Sequence, residues 1–229
     1  MKKSVVIGLV FAALLLTGCL GRNVSSFSEA CFVPVDYSPD FAELEWASEI
    51  LDVYAGLYFS EYTITVDFDD PTVCVRVPIK DKASAVSENF WQSMAVPAQV
   101  TFKDADGNIL LSGSHVKRAK AVGYTTQGTE AYQAENGRVY MVQFMLDEEG
   151  EKLFSDATKE LAFSEIGIYL DDTLVSFLLA FDGSPAGDVF LSKPLAREDA
   201  EKIACRVNLG LLPFQMVLSA TVNAISPPA

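Results

Sequence analysis

Apolar positions in this chain follow a helical period over some stretches and alternate over others, and each change of period marks an element. Phe41, Leu44, Ile50, Leu51 and Tyr54 share one broad face after Ser38-Pro39-Asp40. That order predicts a helix with Ser38 as cap, Pro39 at the first helical position and Gly56 as the stop. Residues 62–68 alternate, Asp69-Asp70-Pro71 turns the chain, and Val73, Val75 and Val77 alternate again before Pro78, which predicts a hairpin. A second helix is expected over 83–94, followed by short strands at 100–103 and 109–111 around the turn Asp106-Gly107-Asn108. The polar stretch 125–137 reads as a loop joining two lobes.

Beyond that loop, 139–146 reads as a strand and 147–159 as a helix. Its opening carboxylates Asp147, Glu148, Glu149 and Glu151 suit the positive end of the helix dipole. Strands are expected at 166–170 and 174–179 around Asp171-Asp172, with a short one at 189–191. A helix over 197–209 would stop at Gly210, and 214–222 is the last strand. Short helices among short strands give an α+β fold with mainly antiparallel pairing.

The first residues follow another logic. Lys2 and Lys3 precede an apolar run over 5–16, and Leu16-Thr17-Gly18-Cys19 ends it with small residues before a cysteine. This is the order of an export signal, and the run is shorter than the roughly 20 residues a spanning helix needs. The four-residue ending resembles the lipobox of bacterial lipoproteins. The resemblance implies a signal peptide over 1–18, lipidation of Cys19 with diacylglycerol and palmitate-type chains, and a membrane anchor facing the extracytoplasmic side. Two or three acyl chains hold a protein to a membrane without a spanning helix.

Charge narrows the partners. Without Lys2 and Lys3, 15 basic residues face 31 acidic ones, a balance of −16, which excludes nucleic acid and a basic lipid-binding patch. Besides Cys19 there are Cys31, Cys74 and Cys205 in a compartment where disulfides persist. Cys205 lies among apolar neighbours on an expected helix and reads as a small buried hydrophobe, which leaves Cys31 and Cys74 as the candidate pair. No cysteine has zinc-ligand spacing, and His115 is the single histidine. Asp104, Asp106 and Asn108 begin like a calcium loop, but the twelfth position is His115 instead of glutamate, so they read as a turn. No nucleophile elbow, phosphate-cradling glycine loop or metalloprotease helix is present. Catalytic, cofactor-binding and metal-ligating residues are therefore assigned as none. Trp46, Tyr54, Tyr58, Phe59, Phe90 and Trp91 read chiefly as core.

Several separated motifs resemble the first extracytoplasmic domain of the SecD subunit of the bacterial protein-export machinery. They are Phe144-Met145-Leu146-Asp147-Glu148-Glu149-Gly150-Glu151-Lys152-Leu153-Phe154, Ile168-Tyr169-Leu170-Asp171-Asp172-Thr173-Leu174-Val175-Ser176, and the stretch from Glu198-Asp199-Ala200 to Gly210-Leu211-Leu212-Pro213. The segment 101–116 precedes them in the same order. The resemblance implies a ferredoxin-like base lobe and a small α+β head lobe. Set on this chain, that gives a tether at 19–38, a base lobe at 39–124, a linker loop at 125–138 and a SecD-like head lobe at 139–229. It further implies a non-catalytic domain that contacts unfolded exported polypeptide or export-channel subunits. Two departures stand against a full SecD role: the chain ends at Ala229, where the family's membrane helices begin, and Asp171-Asp172 replaces an Asp-Gly turn. The alternative is a surface lipoprotein that reuses the fold as a structural or small-ligand-binding module.

Overall fold

The structure is a computed structural model that describes residues 26–125, 138–161, 163–180 and 188–225. Strand β1 (Phe27–Pro34) leads to helix α1 (Phe41–Tyr58), hairpin β2 (Thr63–Asp67) and β3 (Thr72–Pro78), and helix α2 (Glu88–Ser93). There follow β4 (Val100–Lys103), β5 (Ile109–Ser112), β6 (Val116–Thr125), β7 (Arg138–Leu146), α3 (Glu148–Glu160), β8 (Glu165–Leu170), β9 (Thr173–Leu179), β10 (Asp188–Leu195), α4 (Arg197–Leu211) and β11 (Met216–Ala224). The fold is α+β with antiparallel sheets.

Two compact units divide the chain, and the division is not linear. The first joins the residues up to Val96 with those from Phe214 onward; the second is Pro97–Pro213. In the first unit the sheet runs β11-β1-β3-β2, every neighbour antiparallel, with α1 between β1 and β2 and α2 before β11. This βαββαβ order is the ferredoxin-like arrangement. Ala30, Phe32, Val73, Val75 and Val77 point from the sheet to Leu44, Ala47, Ile50, Leu51 and Tyr54 of α1 and Trp91 of α2, all buried. Each large apolar side chain so buried contributes about 1.5–3 kcal/mol. Asp40 caps α1 in a reciprocal box: it accepts from the Glu43 amide at 2.8 Å, and Glu43 accepts from the Asp40 amide at 2.9 Å.

The second unit holds two sheets, β10-β7-β6 and β5-β4-β8-β9. Phe102 lies between the rings of Phe144 and Phe154 at 5.8 and 6.2 Å, in a core shared with Ile166, Ile168 and Val207. The exposed side of β6 is closed by a side chain. Asn208, buried on α4, accepts the Ala119 amide at 2.8 Å and donates to the Ala119 carbonyl at 3.0 Å, as a neighbouring strand would.

Several expectations are corrected. The stretch 27–34, assigned to the tether, is the second strand of the first sheet, because Ala30 and Phe32 face α1 while Ser28 bonds to Asn223 of β11. The residues 19–25, with Cys19 and the signal over 1–18, lie outside the described residues. Strands β4, β5 and β6, assigned to the base lobe at 39–124, belong to the second unit, where β4 pairs with β8 and β6 with β7. Strand β11, assigned to the head lobe at 139–229, returns to the first sheet and pairs with β1. The inter-lobe loop at 125–138 instead connects the paired ends Thr125 and Arg138 of one hairpin within the second unit; residues 126–137 are outside the described ones. Asp40, not Ser38, is the helix cap. Residues 83–87 of the expected second helix are outside α2, which Ser87 caps.

Neither Gly56 nor Gly210 ends a helix. Gly56 sits in the last turn of α1, where a Cβ would stand 3.1 Å from the Tyr62 hydroxyl. That hydroxyl donates to the Asp52 carboxylate at 2.9 Å, and burial followed by this bond pushes its pKa up to about 12. Gly210 lies inside α4, where a Cβ would come 2.7 Å from the Ala98 carbonyl oxygen. Close approach, not chain termination, is what these glycines permit.

Candidate functional site

Cys31 and Cys74 face each other across β1 and β3, and a disulfide joins them. Strand alternation puts the pair on the sheet face opposite α1, since Ala30, Phe32, Val73 and Val75 take the helix side. Cys205 is a buried free thiol on α4; burial, then Glu201, pushes it up to about 12, which keeps it protonated and unreactive.

The carboxylate groups that resemble sites are committed to turns and caps. The Asp104 carboxylate accepts from the amides of Asp106 at 2.9 Å and Asn108 at 2.8 Å, and from the Asn108 side chain at 2.8 Å. The Asn108 side chain foremost holds its pKa below the ordinary value. Gly107 closes the turn at φ 86°, a conformation that favours glycine. His115 belongs elsewhere, with Nδ1 3.3 Å from the Asp147 carboxylate. Among the described residues no group of three His, Cys, Asp or Glu side chains is placed to hold a metal ion.

Asp147 is the cap of α3, accepting the Gly150 amide at 2.6 Å. That bond foremost, with His115 adding to it, lowers the carboxyl pKa. A lowered folded-state pKa means stability present above the unfolded value, near 3.9, and lost as pH falls through the folded one. Asp147→Ala is therefore expected to lower the urea midpoint of the second unit near neutral pH, with the two curves converging in acid. A constant gap between them on acidification would rule out the charge as the cause. The carboxylate is 38% exposed, so added salt should narrow the neutral-pH gap.

The tip of the β8–β9 hairpin carries Asp171 and Asp172 at φ 49° and 63°, so aspartates occupy left-handed positions that glycine would take without strain. Asp171 gains fixed partners there. Its carboxylate accepts the Gln99 amide at 2.9 Å and Arg206 at 2.7 Å, and its own amide donates to the Gln99 carbonyl at 3.0 Å. Lys103 reaches Asp172 at 3.3 Å and lies over the Tyr169 ring.

Among its described residues the second unit presents a cleft and an exposed apolar stripe. The cleft, of about 410 Å³, has a lining that includes Gln99, Thr101, Ser112, Ser114, Val207 and Leu211. In the stripe, Phe177 and Leu179 pair with Gly167 and Glu165, on the sheet face away from buried Ile166 and Ile168, and remain 49% and 45% exposed. Leu174 and Phe163 are exposed beside them; Phe163 is held at φ 67° by the bond from its amide to the Ala180 carbonyl. Sequence reasoning missed this stripe, although the run from Leu174 to Leu179 is too apolar for a strand with one solvated face. Of the six aromatics expected chiefly in the core, Tyr54 and Trp91 are buried, whereas Trp46, Tyr58, Phe59 and Phe90 are half-buried, with Phe59 and Phe90 packed on Trp91.

No family model matches the chain. It is 24% identical over 145 residues to protein translocase subunit SecD of Acidaminococcus fermentans, which covers 63% of this chain and 31% of that protein. Among solved structures, a SecDF chain described as a membrane component that enhances protein export superposes with a TM-score of 0.50 at 17% identity, over 86% of this chain and all of that one. SecDF in a super-membrane-facing form gives the same score and identity over 86% of this chain and 30% of that one. The chain thus spans under a third of SecD and of this second SecDF chain. No helix of the described residues is long and apolar enough to cross a membrane.

Proposed function

We propose that this chain is a lipid-anchored, non-catalytic relative of the SecD extracytoplasmic domain, and that it contacts exported polypeptide or the protein-export channel. The observation that carries the reading is the agreement of SecD-like sequence over 145 residues with a SecDF-like fold over 86% of the chain. Lipid on Cys19 anchors the domain, and the signal over 1–18 sends it to the extracytoplasmic face. The stripe of Phe163, Leu174, Phe177 and Leu179 suits an unfolded chain, which exposes the apolar side chains that a folded protein buries. In the rival reading, a surface lipoprotein binds a small molecule in the cleft beside Ser112 and Ser114.

The test is in-cell photocrosslinking from exposed positions Asp172 and Lys193 of the second unit, followed by mass spectrometry. Secreted chains or channel subunits are the expected capture, and Cys19→Ser should abolish it by releasing the domain from the membrane. Capture of one defined envelope protein, or of nothing, would overturn the export reading in favour of the rival. Undiminished membrane association of Cys19→Ser would overturn the anchor.

A further inference from the structure

Strand β1 lies between β3 and β11, and its apolar pattern does not fix where along β3 it belongs. Its inward side chains Ser28, Ala30 and Phe32 stand opposite Val77, Val75 and Val73. Three identical side chains at two-residue spacing make the receiving face of β3 repeat itself. A strand shifted by two residues keeps every side chain on its own face, because the side-chain period is two. In such a shift Phe32 would meet Val75 and Ala30 would meet Val77, a valine in each case.

The outward face of β3 does not repeat: it presents Thr72, Cys74, Arg76 and Pro78. Two contacts there and one beside the sheet distinguish the native alignment. Cys31 is bonded to Cys74, Glu29 stands opposite Arg76, and the Val86 amide donates to the Ser28 hydroxyl. The ion pair is weak, since the arginine side chain is 49% exposed, and the hydrogen bond is long at 3.3 Å. Strand β11 cannot set the alignment either. It pairs only with β1, and Asn223, which accepts the Ser28 hydroxyl, is 195 residues away, so β11 follows β1.

We propose that the Cys31–Cys74 bridge is a register lock: it selects one of the equivalent alignments of β1 on β3, and through β1 it places β11. With β1 shifted so that Phe32 meets Val75, Cys31 would oppose Arg76 and Val33 would oppose Cys74. Directly opposite residues have Cα atoms about 4.5–5.5 Å apart and diagonal ones about 7–8 Å, so only the native alignment brings Cys31 within disulfide reach of Cys74. Without the bridge the weaker contacts still make the native alignment the end state, while the shifted one competes on the way to it. This role is separate from the restraint a crosslink places on the unfolded chain, and it does not depend on the export reading.

The shifted alignment can be trapped. In Cys31→Ser with Val33→Cys, the introduced thiol is diagonal to Cys74 in the native alignment and directly opposite it in the shifted one. In Cys31→Ser with Glu29→Cys, the introduced thiol is equally diagonal natively and moves away in that shift. Both chains are refolded from urea in the presence of oxidised glutathione, and the disulfides to Cys74 are counted by peptide mapping. The Val33→Cys chain is expected to exceed the Glu29→Cys chain about tenfold, because only its thiol comes within reach. A second measurement follows refolding by the fluorescence of Trp46 and Trp91. Cys31→Ser with Cys74→Ser should show a slow phase absent from the bridged chain, from molecules that must first unpair β1. Proline isomerisation is common to both chains and cancels in the comparison. Equal yields of the two disulfides, or an unbridged chain that only slows in the phases it shares with the bridged one, would overturn the lock and leave the bridge a restraint on chain entropy.

Discussion

Breaking the Cys31–Cys74 bridge, by Cys31→Ser with Cys74→Ser or by reductant, is expected to destabilise the first unit by about 4 kcal/mol. The bond closes a loop of 43 residues, and the chain-entropy relation for a loop of that length gives roughly this figure at 25 °C. The loop contains α1 and β2, so without the bridge the unfolded state regains the freedom of both. Native packing would change little, because the bridge lies on the sheet face opposite the α1 core. The reporter is built in: both tryptophans of the chain, Trp46 and Trp91, belong to the first unit. Their fluorescence during urea unfolding should show a midpoint lowered by more than about 1 M, while the circular dichroism transition of the second unit stays in place. An unchanged tryptophan midpoint would mean that the bridge holds nothing the sheet does not already hold.

What could be read along the chain, and what could not, divides on the range of the interactions. Helix α1 was legible because Leu44, Ile50, Leu51 and Tyr54 repeat at helical spacing, although Phe41, assigned to the same face, is exposed in the first turn and stacks on Phe68. The β2–β3 and β8–β9 hairpins were legible because their turn residues and alternation lie within a few positions of each other. Strand β1 was not. Its inward positions are Ser28, Ala30 and Phe32, a single large apolar side chain among three, and its partner Asn223 is 195 residues away. The α+β class survives this gap because it needs only the elements; the lobe boundaries do not, because they need the strand order. A linear division cannot represent a unit whose last strand follows an inserted second unit. The same limit applies to sites: Asp171 marked a turn, but its hold on Gln99 and Arg206 depends on segments 72 and 35 residues away.

Phe102→Ala separates the two divisions of the chain by experiment. The side chain is fully buried, with edge-to-face contacts to Phe144 and Phe154, and truncating such a residue costs about 3–5 kcal/mol in lost transfer energy and residual cavity. The linear division places Phe102 in a lobe at 39–124 with both tryptophans, whereas the strand pairing places it in Pro97–Pro213, which contains neither. The expected result is therefore the mirror image of the disulfide experiment. The circular dichroism transition of the second unit should fall, and the tryptophan transition should stay in place. A tryptophan midpoint that moves as far as the dichroism midpoint would mean that the two units unfold as one, and the division at Pro97 and Pro213 would then describe contacts but not cooperativity. A dichroism midpoint that does not move would contradict the burial of Phe102 itself. Combining Phe102→Ala with the broken bridge should lower both midpoints by the same amounts as the separate changes, since residues in different cooperative units share no partner through which to couple.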